Sequence, residues 1–173
     1  GILPRMRARP HRLGLLGLLG LTLACTKGHA DPGGPPGGKA CTMIGCLDGV
    51  RVEIAHAGAW TPGTYTFALD LDGAVVTCTG ALPLPACDAG PAITCDGEGV
   101  QVMESGCALE PAAQSFPEIM LPRGDLREIG LTIAREGAPL VTARLQPAYV
   151  ESRPNGPECE PLCRSASLRV DLP

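Results

Sequence analysis

Aromatic side chains are scarce in this chain. Of its 173 residues only Trp60, Tyr65, Phe67, Phe116 and Tyr149 are aromatic. Any core must therefore be filled mainly by aliphatic residues, and a sugar platform, which needs several exposed rings, has little to draw on. Histidine is rarer still, with His11, His29 and His56 the whole set. Lysine occurs only at Lys27 and Lys39, and arginine supplies every other cation. No basic stripe is available to neutralise phosphates, which argues against nucleic acid as a partner. Long apolar runs are missing too. The longest, Leu13–Leu23, has 11 residues and contains Gly14, Gly17 and Gly20. As a helix it would cross only about half of a ~30 Å hydrocarbon core. No dozen residues keep a helical period, so the chain does not read as helical.

What is present begins with the N-terminus. Arg7, Arg9, His11 and Arg12 precede the Leu13–Leu23 stretch, and small Ala24 stands directly before Cys25. A positive lead-in, an apolar segment of about 7–15 residues and a small residue at the cut describe an export signal. The cysteine after the cut resembles the lipobox of bacterial lipoproteins, in which that residue is acylated and becomes the mature N-terminus. Thr22 departs from the leucine usual at its position. The resemblance implies a signal peptide over residues 1–24, with Met6 the expected start, and a lipid anchor at Cys25. Thr26, rather than aspartate, after the anchor implies the outer membrane of a Gram-negative bacterium. Residues 25–40 are then anchor and tether, because Thr26–Ala40 is rich in glycine and proline and has no large apolar residue. Beyond the cut remain ten basic and eighteen acidic residues, a net charge of −8.

Setting Cys25 aside leaves Cys41, Cys46, Cys78, Cys87, Cys95, Cys107, Cys159 and Cys163. An even set in an oxidising compartment predicts four disulfides. Cys78, Cys87, Cys95 and Cys107 share one proline-rich stretch and are expected to staple it locally. Zinc is the competing reading, since Cys41/Cys46 and Cys159/Cys163 are close pairs able to supply four thiolates. Export favours disulfides, so no metal and no cofactor is assigned.

Period-two alternation runs through residues 41–173, which are expected to form a single domain. Inward faces are marked by Val50/Val52/Ile54, Tyr65/Phe67/Leu69, Val100/Val102, Ile129/Leu131/Ile133, Val141/Ala143/Leu145 and Leu168/Val170/Leu172. Asp72-Gly73 is a two-residue hairpin signal. It sets Leu71 opposite Ala74, Leu69 opposite Val76 and Phe67 opposite Cys78, pointing Cys78 inward as an inter-sheet disulfide would. At Glu136-Gly137 a two-residue turn would place Ile133 opposite Leu140 and Val141 on the wrong face. A three-residue loop over Glu136–Ala138 is expected instead, pairing Ile133 with Val141, Leu131 with Ala143 and Ile129 with Leu145. Pro83, Pro85, Pro91, Pro111, Pro117 and Pro122 argue against central strands between Leu82 and Pro122. About seven short strands predict an all-β, antiparallel two-sheet sandwich of immunoglobulin-like architecture, stapled by disulfides.

Residues able to do chemistry are few. His56 follows a strand and is expected on a solvated loop. Ser105, in Glu104-Ser105-Gly106-Cys107, lacks the leading glycine of a nucleophile elbow. Asp70 and Asp72 share a strand face about 7 Å apart, a spacing open to carboxylate hydrolysis or calcium. Both border a turn, and solvated turn residues are the simpler reading. Glu158 and Glu160 flank Cys159 between Pro157 and Pro161 and read as an extended acidic tip. Trp60 and Tyr149 are the aromatics that the core does not claim. No catalytic residue is assigned.

The peptides Glu104-Ser105-Gly106-Cys107-Ala108-Leu109 and Pro154-Asn155-Gly156-Pro157-Glu158-Cys159-Glu160-Pro161, with the cysteine spacing, resemble uncharacterised cysteine-rich lipoproteins of myxobacteria. That resemblance implies a disulfide-rich β domain at a surface and carries over no activity. The expectation is a non-catalytic interaction or structural role at the cell envelope, with an envelope or extracellular protein or a glycan as partner. A carbohydrate- or small-ligand-binding protein is the alternative. A carboxylate-dependent hydrolase and a zinc-thiolate protein rank below it.

Overall fold

The computed structural model describes residues Ala40–Pro173; Cys25, the signal and the rest of the tether lie outside the described residues. Ten strands form two sheets. One contains β1 (Gly49–His56), β5 (Gln101–Ser105), β6 (Ser115–Leu121), β9 (Val150–Ser152) and β10 (Cys163–Leu172), in the order β5-β6-β1-β10-β9. The other contains β2 (Gly63–Leu71), β3 (Ala74–Leu82), β4 (Thr94–Cys95), β7 (Ile129–Arg135) and β8 (Ala138–Leu145), in the order β4-β3-β2-β7-β8. All neighbours are antiparallel except β1 and β10, which run parallel from Gly49 opposite Ser165 to His56 opposite Leu172. This is the all-β sandwich that the alternation predicts.

Alternate residues of both sheets meet in one core. Val50, Val52, Ile54, Ile119, Leu121, Ala166 and Val170 of the first sheet are buried with Phe67, Leu69, Leu71, Ile129, Leu131 and Ile133 of the second. The few aromatics are concentrated rather than spread. Phe116 is edge-on to Trp60, Tyr65 and Phe67 at 5.5, 5.6 and 5.5 Å between ring centres. Trp60 is only 6% exposed, so the expectation that it stands free of the core is overturned. Such edge-to-face pairs add about 0.5–1.5 kcal/mol each beyond their buried area.

The hairpins resolve the register question. At Asp72-Gly73 both residues have positive φ, 54° and 94°, and the expected pairs Leu71 with Ala74, Leu69 with Val76 and Phe67 with Cys78 form. At the second hairpin the expected strand pairs also form, Ile133 with Val141, Leu131 with Ala143 and Ile129 with Leu145. The three-residue loop does not. Arg135 lies opposite Ala138 and Ala134 opposite Pro139, which leaves a two-residue turn at Glu136-Gly137 with φ of 50° and 78°. The ladder then shifts by one residue between Pro139 and Val141. A bulge at Leu140 thus reconciles a tight turn with the apolar match.

The proline-rich middle differs from expectation in one respect. β6 contains Pro117 yet lies between β5 and β1. Its pairing with β1 runs from Leu121 to Glu118 and stops there. Against β5, Met103 pairs with Glu118 but Ser105 with Ser115, so Phe116 and Pro117 sit in a bulge. Pro117 therefore falls where neither neighbour requires its missing N–H.

All eight cysteines of the domain are bonded: Cys41–Cys159, Cys46–Cys163, Cys78–Cys95 and Cys87–Cys107. The middle four staple locally, over separations of 17 and 20 residues. Cys78 faces inward, but its partner is directly opposite on β4 of the same sheet and not across the core. The other two bonds span 118 and 117 residues; closing one loop of that size restricts the unfolded chain by about 4–5 kcal/mol, and the second bond adds less because the first already brings its ends together.

Asn155 completes this closure. It is buried, and its Oδ1 accepts the Ile44 N–H and the Thr42 hydroxyl, both at 2.7 Å. Its Nδ2 donates to the carbonyls of Ile44 (3.0 Å) and Glu160 (2.7 Å). Asn155→Ala is expected to lower stability by about 2 kcal/mol, since it removes the four hydrogen bonds of a buried amide. It should also accelerate exchange of the Ile44 amide, and unchanged exchange there would show that this bond does not hold the segment.

Candidate functional site

Among the described residues a depression lies on the outer face of the first sheet, where β1 and β10 begin and the antiparallel β6 ends. Gly49 pairs with Ser165, and Arg51 with both Ser167 and Met120, so small side chains occupy the middle of this face. Gly49 is obligatory: its φ is 126°, and a Cβ there would lie 2.1 Å from the Leu121 carbonyl oxygen. The result is an open trough of about 430 Å³, walled by Leu47, Pro122, Met120 and Gln101. Its polar groups are Asp48, Arg51, Ser165 and Ser167. The Asp48 carboxylate accepts the Arg164 N–H at 2.6 Å, and Arg51 is paired with Glu118 at 3.0 Å. That pairing has a local cause. Glu53 and Glu118 stand opposite each other across β1 and β6, a destabilising arrangement. Arg51 relieves Glu118, and Arg169 relieves Glu53 at 3.0 Å. One cation, one carboxylate and two hydroxyls on an apolar floor are equipped to recognise a polar molecule.

The residues singled out from sequence do not gather in this trough. Asp72 turns its carboxylate onto the segment before β7, accepting the Glu128 N–H at 2.9 Å and the Arg127 N–H at 3.1 Å. Asp70 accepts the Gly73 N–H at 2.6 Å. The N–H of Glu128, then that of Arg127, hold the Asp72 carboxyl below its usual range. A glycosidase acid needs the opposite shift. Asp72 is therefore a clamp on the β2–β3 turn rather than simply a solvated turn residue.

Glu158 and Glu160 are both exposed. Pro154–Cys159 is turned rather than extended, with the Gly156 N–H on the Arg153 carbonyl and the Cys159 N–H on that of Gly156. The Arg153 side chain, 3.0 Å away, pulls the Glu160 carboxyl down, and the Leu162 N–H adds to this.

His56 is the last residue of β1, not a loop residue, and is half-buried edge-on to Trp60 at 5.8 Å. Its Nε2 lies 3.2 Å from the Ala59 carbonyl oxygen, and its buried Nδ1 has no hydrogen-bond partner among the described residues. Ser105 ends β5, two residues from the Cys107 that is bonded to Cys87. Tyr149 is half-buried rather than free. The Arg164 guanidinium lies 5.0 Å from its ring centre and its hydroxyl donates to the Arg123 carbonyl at 3.3 Å, while burial raises the pKa of that hydroxyl. Cys46, Asp48 and Cys163 bring their ligand atoms within 4.8 Å. The two sulfurs are bonded to each other, however, so neither is a thiolate, and the same holds for every cysteine of the zinc reading.

Sequence reasoning missed the two buried amides. Asn155 was visible only inside a cysteine-rich peptide. Gln114 accepts the Leu84 N–H at 2.6 Å and donates to the Leu109 carbonyl at 3.1 Å, joining two loops that only the fold brings together.

Because the Asp72 pKa is lower in the folded chain, its contribution to stability is complete above about pH 4 and is lost as pH falls through the depressed value. Asp72→Asn keeps the shape and the left-handed backbone, so it should melt lower than the parent at pH 7 and converge with it in acid. Equal melting temperatures at pH 7 would remove Asp72 from the clamp. Comparison of the chain with protein-family models, curated proteins and solved structures finds no match.

Proposed function

We propose that the chain is an extracytoplasmic lipoprotein, anchored through Cys25 at the outer membrane, that acts by non-catalytic contact with a protein or glycan of the envelope. One observation carries the non-catalytic part. Most of the candidate groups are spent on the scaffold: Asp70 and Asp72 on backbone N–H groups, Glu160 on Arg153 and Leu162, and the eight cysteines on disulfides. Four disulfides are consistent with an extracytoplasmic location. No helix among the described residues is long and apolar enough to cross a membrane, and in this reading attachment rests on the acyl chain.

The trough supports a second reading, recognition of a small polar ligand such as a saccharide, because Arg51, Asp48, Ser165 and Ser167 surround one depression beside Met120.

The intact mass of the protein extracted from its native membrane tests the first reading. A chain starting at Cys25 with added acyl mass, and eight cysteines alkylated only after reduction, is the expected result; an unlipidated Cys25 would overturn the anchor. For the second reading, the Met120 methyl resonance is the reporter of choice, since Trp60 is buried. Saccharide binding in the trough should shift it, and Arg51→Ala should weaken that binding about tenfold. A Met120 signal indifferent to a glycan panel would remove the ligand reading.

A further inference from the structure

We infer that the domain itself rests on the lipid surface, through the apolar side chains of Met43, Ile44 and Leu47 with Leu162 beside them. The inference rests on the anchor reading for where the domain is held, and on the structure for how it docks. Met43 is 98%, Leu47 86%, Ile44 54% and Leu162 36% exposed. They are half of the eight large apolar residues exposed among the described residues. Three of them fall within five consecutive positions, and Leu162 adjoins the Cys163 that is bonded to Cys46. Exposed apolar groups gathered in this way mark an interaction surface, whereas scattered single ones do not.

Two features fit a bilayer better than a mobile loop. The segment is rigid in its exposed form, because Cys41–Cys159 and Cys46–Cys163 bracket it and Asn155 pins its middle. Ordering therefore adds little cost when it inserts. The Ile44 N–H and C=O are both already bonded to Asn155, which removes a desolvation penalty that backbone would otherwise meet at the lipid interface.

Position then selects the occupant. Only the 15 residues Thr26–Ala40 separate Cys25 from the domain, and 15 residues reach at most about 50 Å whatever their conformation. The chain enters the domain at Ala40, so the end that carries Met43–Leu47 is the end held against the membrane. Most of the neighbouring charges are paired, Arg153 with Glu160 and Arg164 with Glu151, while Asp48 accepts the Arg164 backbone N–H. With a net charge of −8 beyond the cut, attraction to anionic lipid is not the driving force. Binding should be apolar in character and nearly insensitive to salt.

The test uses the secreted form, residues 25–173, with Cys25→Ser so that no acyl chain contributes, and zwitterionic vesicles of phosphatidylethanolamine and phosphatidylcholine. Hydrogen exchange of the peptide spanning Met43–Leu47 should slow when vesicles are added. Co-sedimentation should fall by about tenfold or more in a Met43→Asp/Leu47→Asp variant. That variant should melt like the parent, since both side chains lie in solvent.

Exchange indifferent to vesicles, or co-sedimentation unchanged by the two substitutions, would overturn the inference. So would protection that needs no vesicles and grows with protein concentration, which would assign the patch to a second copy of the chain. The two readings fail separately. Acylated Cys25 without vesicle protection removes the docking surface and keeps the anchor, whereas vesicle protection with an unlipidated Cys25 does the reverse.

Discussion

The architecture depends on joining the two ends of the domain. β1 and β10 are neighbours in the middle of one sheet, and nearly the whole domain lies between them in sequence. Closing so long a loop is entropically costly before any contact forms. The parallel ladder, the Cys41–Cys159 and Cys46–Cys163 bonds and the Asn155 hydrogen bonds all act at this closure. Without it β1 would lose a neighbour, and Ala166, Val170 and Leu172 would leave the core. The same closure builds the surface features, because Leu47 and Asp48 border the trough and Met43–Leu47 is held out in solvent.

A core this poor in rings is economical with them. Four of the five aromatics meet at Phe116 or next to it, in the core between the two sheets. The remaining volume is aliphatic. Phe116 reaches the cluster from a strand bulged at Pro117, so the irregular middle of the chain supplies the centre of its aromatic packing. The Cys87–Cys107 bond and Gln114 then hold the loops leading to that strand.

Several polar side chains show how a loop-rich sandwich is secured. Asp72 satisfies two backbone N–H groups at a turn, and Tyr149 lies against the Arg164 guanidinium with its hydroxyl on the Arg123 carbonyl. Apart from these contacts the described surface carries a polar trough on one sheet and an apolar segment near Ala40.

Much of the fold was legible in the residues because strand alternation and turn chemistry are local properties. The inward faces of β1, β2, β7 and β10, the Asp72-Gly73 turn and the apolar register of β7 with β8 follow from period two and from which residues tolerate positive φ. The even cysteine count foretold disulfides, and the local stapling of the middle four followed from their nearness in the chain. Tertiary structure alone decided how the cysteines paired, that Cys78 bonds within its own sheet, and that Pro117 is tolerated at a bulge. It also decided that a bulge at Leu140 rather than a longer loop restores register, and that Trp60 is buried. It placed Asn155 and Gln114 at the joins, and it assembled the trough from Gly49, Ser165 and Met120. Each of these depends on which distant segments become neighbours. A chain reads its own periodicity at every position, but a hydrogen bond, a disulfide or a cavity is a property of two positions and exists only once the fold has brought them together.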